Sequence, residues 1–328
     1  MRFHQDILKI DPTAVSQELM SSLRQDVRQR LRRSGAVVGI SGGIDSSVVL
    51  ALCVGAFGPK HVVGVMMPEA DSSRDSIVLS RLLADQYGVQ TVVEDMTGAL
   101  VGFGCYSRRN EAIKRVFPEF DPSYKAKITL PGDVLNSDAL NVFSLTIISP
   151  EGEEKSKRLN LRDYLQIVAA SNFKQRSRMS MLYYHAELRN YAVVGTPNRN
   201  EHDQGFFVKW GDGGYDVAPI QHLFKTQVFQ LAEHLDVPSE ICQATPSTDT
   251  YSAHSSQEEF FFRLPFELMD LLWYARENNV PVSDVAETMD LTEEQVERAW
   301  ADQLRKERAT QYLRTLPINY RKASTVND

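Results

Sequence analysis

The run Ser41-Gly42-Gly43-Ile44-Asp45-Ser46-Ser47 constrains this chain more than any other stretch. It follows a short apolar segment of strand type, Ala36 to Ile40, and precedes a stretch in which nearly every residue to Ala56 is apolar. The order strand, polar glycine loop, buried helix brings backbone close to a ligand. Two glycines permit a tight turn, and the helix that follows presents unpaired N–H groups at its N-terminus. Ser41, Ser46 and Ser47 add hydroxyl groups, so the loop suits phosphate or pyrophosphate. The spacing and the lysine of a G-x-x-x-x-G-K-[ST] loop are absent from it.

The same alternation continues on both sides. Val15, Leu19, Leu23, Val27 and Leu31 recur at the four-residue step of an amphipathic helix between Asp11 and Arg33. His61 to Met67 reads as a strand, Asp75 to Tyr87 as a helix and Gln90 to Glu94 as a strand. Phe173 to Arg189 then reads as a helix and Tyr191 to Gly195 as a strand. This order predicts an α/β fold, an open parallel sheet of about five strands with helices on both faces and ligands at the carboxyl ends of the strands.

Two segments fall outside the alternation. Residues 98–171 contain Leu140 to Ser149 and Lys155 to Leu161 on either side of a turn-rich stretch, which predicts an inserted β-hairpin. Residues 257–328 are helical by pattern, with Pro265 and Pro281 at helix starts, and are expected to pack as an extension on a domain formed by 1–256. Within that extension, Val285 to Val296 reads as helix, turn, helix, with Thr292 and Gln295 at capping-box spacing. That is also the outline of a DNA-binding helix-turn-helix, but a hairpin packed on the core is the preferred reading.

Composition bounds the partners. The 328 residues carry a net charge of −7, so no basic footprint for nucleic acid is expected. No stretch of about 20 apolar residues spans a bilayer, and no apolar secretory core follows the start. Cys53, Cys105 and Cys242 lie far apart, which predicts neither a disulfide framework nor a zinc site, and a cytoplasmic address is expected.

The loop at Ser41 resembles the S-G-G-x-D-S-[ST] signature of the ATP pyrophosphatases, which cleave ATP between the α and β phosphates and activate substrates as adenylates. Further residues narrow the choice. Gly195-Thr196-Pro197-Asn198-Arg199-Asn200-Glu201 is followed by Gly205-Phe206-Phe207-Val208-Lys209-Trp210-Gly211-Asp212-Gly213 and then by Pro219 and Lys225. This resembles the NAD synthetase pattern G-T-x-N-x-x-E, G-[FY]-x-x-K-[YW]-G-D-G, P, K. Asn172, Arg176, Arg178 and Met179 resemble that family's N-x-x-x-R-x-R-M, and Pro246 to Asp249 its P-[ST]-x-D.

The resemblance implies ATP-dependent amidation of deamido-NAD by ammonia through an acyl adenylate. It implies ATP contacts from Ser41, Gly42, Gly43, Asp45, Ser46, Ser47, Arg176, Thr196, Lys225 and Ser247, and deamido-NAD contacts from Asn172, Lys209 and Asp212. Asp45 and Glu201 supply hard oxygen ligands for Mg²⁺ bound with ATP phosphates, and with Lys225 they form the expected catalytic set. Lys225, Arg176 and Lys209 are of the right charge to stabilise a departing pyrophosphate or a phosphorylated substrate. His202, without a spaced partner, is read as structural. A homodimer is also implied. Only 40 residues precede Ser41, so no glutaminase domain is expected ahead of it, and free ammonia or a separate glutaminase would supply nitrogen. Two alternatives stand beside this reading: a ligase of the same chemistry acting on another acid, because 98–171 is long for the compact enzymes, and a nucleotide-sensing DNA-binding regulator.

Overall fold

The computed structural model describes residues 3–130, 134–136, 143–246, 251–253 and 256–318, the side chain of Glu259 excepted. Helix α1 (Pro12–Arg24) starts at Asp11, whose carboxylate accepts the N–H groups of Thr13 and Ala14 at 3.0 and 3.1 Å. Pro12 occupies the first turn, where its missing N–H leaves no bond unmade. The helix continues into a π-helical turn, Gln25–Arg30, so the element expected from Asp11 to Arg33 changes its winding before it ends.

The predicted alternation follows as β1 (Ala36–Gly39), α2 (Ile44–Phe57), β2 (Val62–Met66), α3 (Arg74–Tyr87) and β3 (Gln90–Val93). Next come α4 (Thr97–Gly102), α5 (Cys105–Val116), β4 (Lys125–Thr129), β5 (Ser144–Ile148) and β6 (Glu154–Arg158). Helix α6 (Leu161–Arg189), β7 (Ala192–Val194), α7 (Arg199–Gln204), α8 (Lys225–His234) and α9 (Ser239–Cys242) complete the core. The C-terminal part is α10 (Phe266–Glu277), α11 (Val282–Met289), α12 (Glu293–Ala309) and α13 (Gln311–Arg314).

Among the described residues, four parallel strands form the main sheet in the order β3-β2-β1-β7. The expected fifth strand is reduced to one parallel bridge between Val194 and Val217, closed by the Gly195 N–H donating to the Val217 carbonyl at 2.7 Å. Chain order reverses between β1 and β7, the position at which an open α/β sheet leaves a crevice at its carboxyl edge. The loops leaving these two strands carry Ser41 to Gly43 and Gly195 to Asn198.

Helix α2 is apolar all round because it is covered all round. Val48, Val49, Leu50 and Leu52 are fully buried, and the helix packs against the sheet, α1 and α8. Burial of each such side chain contributes about 1.5–3 kcal/mol, which fixes the N-terminus of α2 against the sheet.

The segment predicted as an inserted hairpin is a three-stranded antiparallel sheet, β4-β5-β6, preceded by α4 and α5. Residues 140–142 of the expected first strand lie outside the described residues. The segment does not end at Ser171. Helix α6 begins at Leu161, capped by Asn160 accepting the Asp163 N–H at 2.9 Å, and runs unbroken into the main sheet's crossover. It therefore joins both parts of the fold as one rigid element.

Helices α10 to α12 bury Met269, Leu272, Val285, Met289, Val296 and Ala299 together. The capping box expected at Thr292 and Gln295 is present. The outline of a helix-turn-helix thus has its apolar faces turned onto α10, with α12 also against α7. Among the described residues, no helix is long and apolar enough to cross a membrane.

Candidate active site

A cavity of about 410 Å³ opens at the carboxyl edge of the main sheet, within the usual size range for small-molecule sites. Its floor is the loop after β1. Gly42 has φ +77°, and a Cβ there would stand 2.9 Å from both the Leu79 Cβ and the Ser76 carbonyl oxygen. Glycine is required on both counts. Gly42→Ala is expected to cost at least about 2 kcal/mol, because the left-handed backbone and the backbone neighbour resist together. Thermal denaturation checks it.

The serines hold the loop to itself. Ser46 and Ser47 both donate their hydroxyls to the Gly43 carbonyl at 2.9 Å, and the Gly43 N–H donates to Ser41 Oγ at 3.3 Å. The Ser41 and Ser46 side chains are also in hydrogen-bond contact. Ser41 and Ser46 line the cavity, whereas Ser47 is buried beneath the loop and supports it.

Asp45 lies in the first turn of α2 and is bound from two directions. Its Oδ2 pairs with the Lys225 ammonium, and its Oδ1 accepts the Asn198 side-chain amide at 2.9 Å. Lys225 is the first residue of α8, fully buried, with its ammonium 5.5 Å from the centre of the Phe266 ring. Asn198 caps α7, so that the Asn198 side chain accepts the Glu201 N–H while the Glu201 carboxylate accepts the Asn198 N–H at 3.2 Å. The other Glu201 oxygen accepts Gln257 Nε2 at 3.2 Å. Burial first, and then the Asp45 charge, push the Glu201 carboxyl up to about 8, with Lys225 opposing. Asn198 thus draws the two carboxylates together, and Asp45 holds the cation.

The motifs separated by some 150 residues of chain therefore meet as one site, which is the arrangement that a nucleotide-activating enzyme needs. The family model of NAD synthase matches residues 15–115 and 142–317. The chain belongs to the NAD synthase family. It is similar over 312 residues, at 49% identity, to the NH(3)-dependent NAD(+) synthetase of Mesorhizobium japonicum, covering 95% of this chain and 98% of that one. Among solved structures, it shares a fold with the NH3-dependent NAD synthetase of Campylobacter jejuni, with TM-score 0.61 and 19% identity over 95% of this chain and 100% of that one. An NMN synthetase from Francisella tularensis shares the fold with TM-score 0.59 and 22% identity over 95% of this chain and 99% of that one. ATP is a co-substrate of NAD synthases. The stretch that the NAD synthase model leaves unmatched, 116–141, contains β4.

Other residues that resemble NAD synthase positions are sorted by the structure. Thr196, Asn172 and Asp212 line the cavity with Glu201. The Asp212 carboxylate accepts the Val208 N–H at 2.7 Å, which fixes the Gly211 to Gly214 turn. Ser247 lies outside the described residues. His202 has the structural role read for it: its Nδ1 meets Asp203 at 2.7 Å and its ring stacks on Phe207.

Two residues of the expected set stand off the cavity. Arg176 is exposed, off the cavity, with its Nε donating to the Lys209 carbonyl at 3.3 Å. Asn172, Gln175, Arg178, Met179 and Leu182 share the face of α6 that lines the cavity, so Arg178 is the cation there. Its guanidinium donates to the Met67 carbonyl at 3.2 Å and to Ser72 at 3.4 Å. Lys209 is likewise not in the cavity wall: its ammonium donates to the carbonyls of Tyr312 and Thr315 at 2.9 and 2.6 Å, tying the loop to the end of the chain. Gln257 was not singled out by sequence reasoning, because no local pattern marks it.

Proposed function

We propose that the chain is an ammonia-dependent NAD synthetase, a ligase that amidates the nicotinate carboxylate of deamido-NAD with ATP, giving NAD, AMP and pyrophosphate. The observation that carries this reading is the meeting of Asp45, Glu201 and Lys225 beside the Ser41 to Gly43 loop. Kinship with enzymes named NH(3)-dependent over nearly their whole length supports it.

In the first step the substrate carboxylate attacks the α-phosphorus of ATP and pyrophosphate leaves. The loop and the N-terminus of α2 receive the phosphates, and Lys225 stabilises the negative charge that grows on the departing oxygen. In the second step ammonia attacks the acyl carbon and AMP leaves. Asp212, Asn172 and Arg178 orient the acid substrate, and the ring-lined end of the cavity, with Phe206, Phe260, Phe261 and Tyr251, keeps water from the adenylate.

Asp45 and Glu201 fit Mg²⁺: they are two carboxylates linked through one asparagine, and magnesium sites commonly combine one or two carboxylates with substrate phosphates. Mg²⁺ bound there supplies positive charge against the phosphates of ATP. Activity as a homodimer in the cytoplasm completes the proposal. The apolar side chains exposed on α6, Leu161, Leu165, Tyr184 and Leu188, support a second copy packing there, which the mass in solution measures.

Ammonium is expected to sustain NAD formation by the purified chain, and glutamine alone to give no more NAD than a control without a nitrogen donor. A steady-state assay of NAD with each donor decides between free ammonia and glutamine, and efficient glutamine use would contradict the proposal.

A further inference from the structure

Asp270 lies in the middle of α10, far in sequence from every motif of the site, and none of it reaches solvent. A buried carboxylate requires partners, and the three that Asp270 has lead to one place. Its Oδ2 accepts the Thr226 N–H at 2.9 Å and the Thr226 hydroxyl at 2.8 Å, while its Oδ1 accepts the side-chain amide of Asn200. The Oδ1 of that same Asn200 accepts the Lys225 N–H at 3.0 Å. The first two N–H groups of α8 are therefore satisfied from outside the helix, by α7 and α10, because Phe224 before them has no side-chain acceptor.

We infer that Asp270 is a positioning residue for Lys225: through Thr226 and Asn200 it fixes where α8 begins and hence where the Lys225 ammonium meets Asp45. This rests on the proposed function, in which Lys225 stabilises departing pyrophosphate. The chemistry of the chain of bonds explains why an acid is needed. An ionised carboxylate only accepts, so it forces Asn200 to point its NH₂ at Asp270 and its oxygen at Lys225. An amide at 270 with its own NH₂ toward Asn200 turns that side chain over and leaves the Lys225 N–H facing a donor. Burial pushes the Asp270 carboxyl up to about 6, with the bonds from Asn200 and Thr226 opposing, and neutral solution keeps it ionised.

The test is a double-mutant cycle on the full chain, with NAD formation from ATP, deamido-NAD and ammonium as the readout. Asp270→Asn is expected to lower kcat/KM for ATP about tenfold to a hundredfold while leaving the KM for deamido-NAD unchanged. In a Lys225→Met background the same substitution is expected to cost less than about twofold, since the residue it positions is already gone. An equal loss in both backgrounds, or no loss in the first, overturns the inference. If Asp270→Asn does not fold, Thr226→Val breaks the Thr226 hydroxyl bond of the chain with little change of shape; it is expected to lower kcat/KM for ATP several-fold only when Lys225 is present, and equal effects in both backgrounds count against the idea. Absence of NAD formation by the wild-type chain tells against the proposed function instead, so the two failures are distinct.

Discussion

Asp45→Asn is expected to lower NAD formation about a thousandfold, the scale of losing a preorganised charge at a nucleotidyl-transfer site. It removes one of the two carboxylates suited to Mg²⁺ and the partner of Lys225 in one change. From sequence alone the variant is expected to keep its stability, because a residue serving the metal need not serve the fold. The structure revises that. Lys225 is fully buried, and removing the charge opposite a buried cation typically costs about 3–5 kcal/mol. Glu201 offsets part of this, since it is the Asp45 charge, after burial, that pushes Glu201 up to about 8. With asparagine at 45, Glu201 ionises more readily and faces Lys225 in its place. A loss of about 2 kcal/mol is therefore expected in denaturant unfolding, below the usual cost of an orphaned buried charge. Unchanged turnover contradicts the catalytic role of Asp45; unchanged stability contradicts the pairing.

Lys225→Met is expected to lower kcat about a hundredfold to a thousandfold, because the ammonium is assigned to the charge on departing pyrophosphate. Methionine keeps an unbranched apolar stem against Phe266, so the packing survives and the charge alone is tested. The KM for deamido-NAD is expected to stay constant, because the proposal assigns that substrate to Asn172, Asp212 and Arg178, which line the cavity. Initial rates at varied ATP and varied deamido-NAD separate the two effects. A kcat loss below tenfold places the pyrophosphate charge on another group.

What the sequence discloses about this site follows from how local each signal is. The loop at Ser41 and the Asn198 to Glu201 stretch act through their own backbone as well as their side chains, so short motifs carry them, and both are found where the alternation of strand and helix places them. Arg176 and Arg178 stand two positions apart on a helix, which turns them about 200° from one another, and periodicity alone does not say which of the two faces the cavity. Lys209 has its partners about a hundred residues away, at Tyr312 and Thr315, where no pattern in its own motif points. Asp270 and Gln257 reach the site only through tertiary packing of the C-terminal part. The same holds for β4, a five-residue strand whose nearest register pair with β5, Thr129 opposite Ser144, already lies 15 positions apart in the chain. The centre of the parallel sheet was legible because β1, β2 and β7 are buried and read as continuous apolar runs; Val217, with a single bridge, leaves no run to read.

In the proposed reaction the acid substrate takes the adenylyl group directly from ATP before ammonia arrives. This transfer is tested by supplying deamido-NAD with ¹⁸O in the nicotinate carboxylate, together with ATP, Mg²⁺ and ammonium, and analysing products by mass spectrometry. NAD and AMP are expected in equal amounts, with one labelled oxygen carried into each AMP, because the carboxylate oxygen that attacks phosphorus stays on it when the amide forms. Unlabelled AMP, or ADP and phosphate in its place, contradicts the transfer.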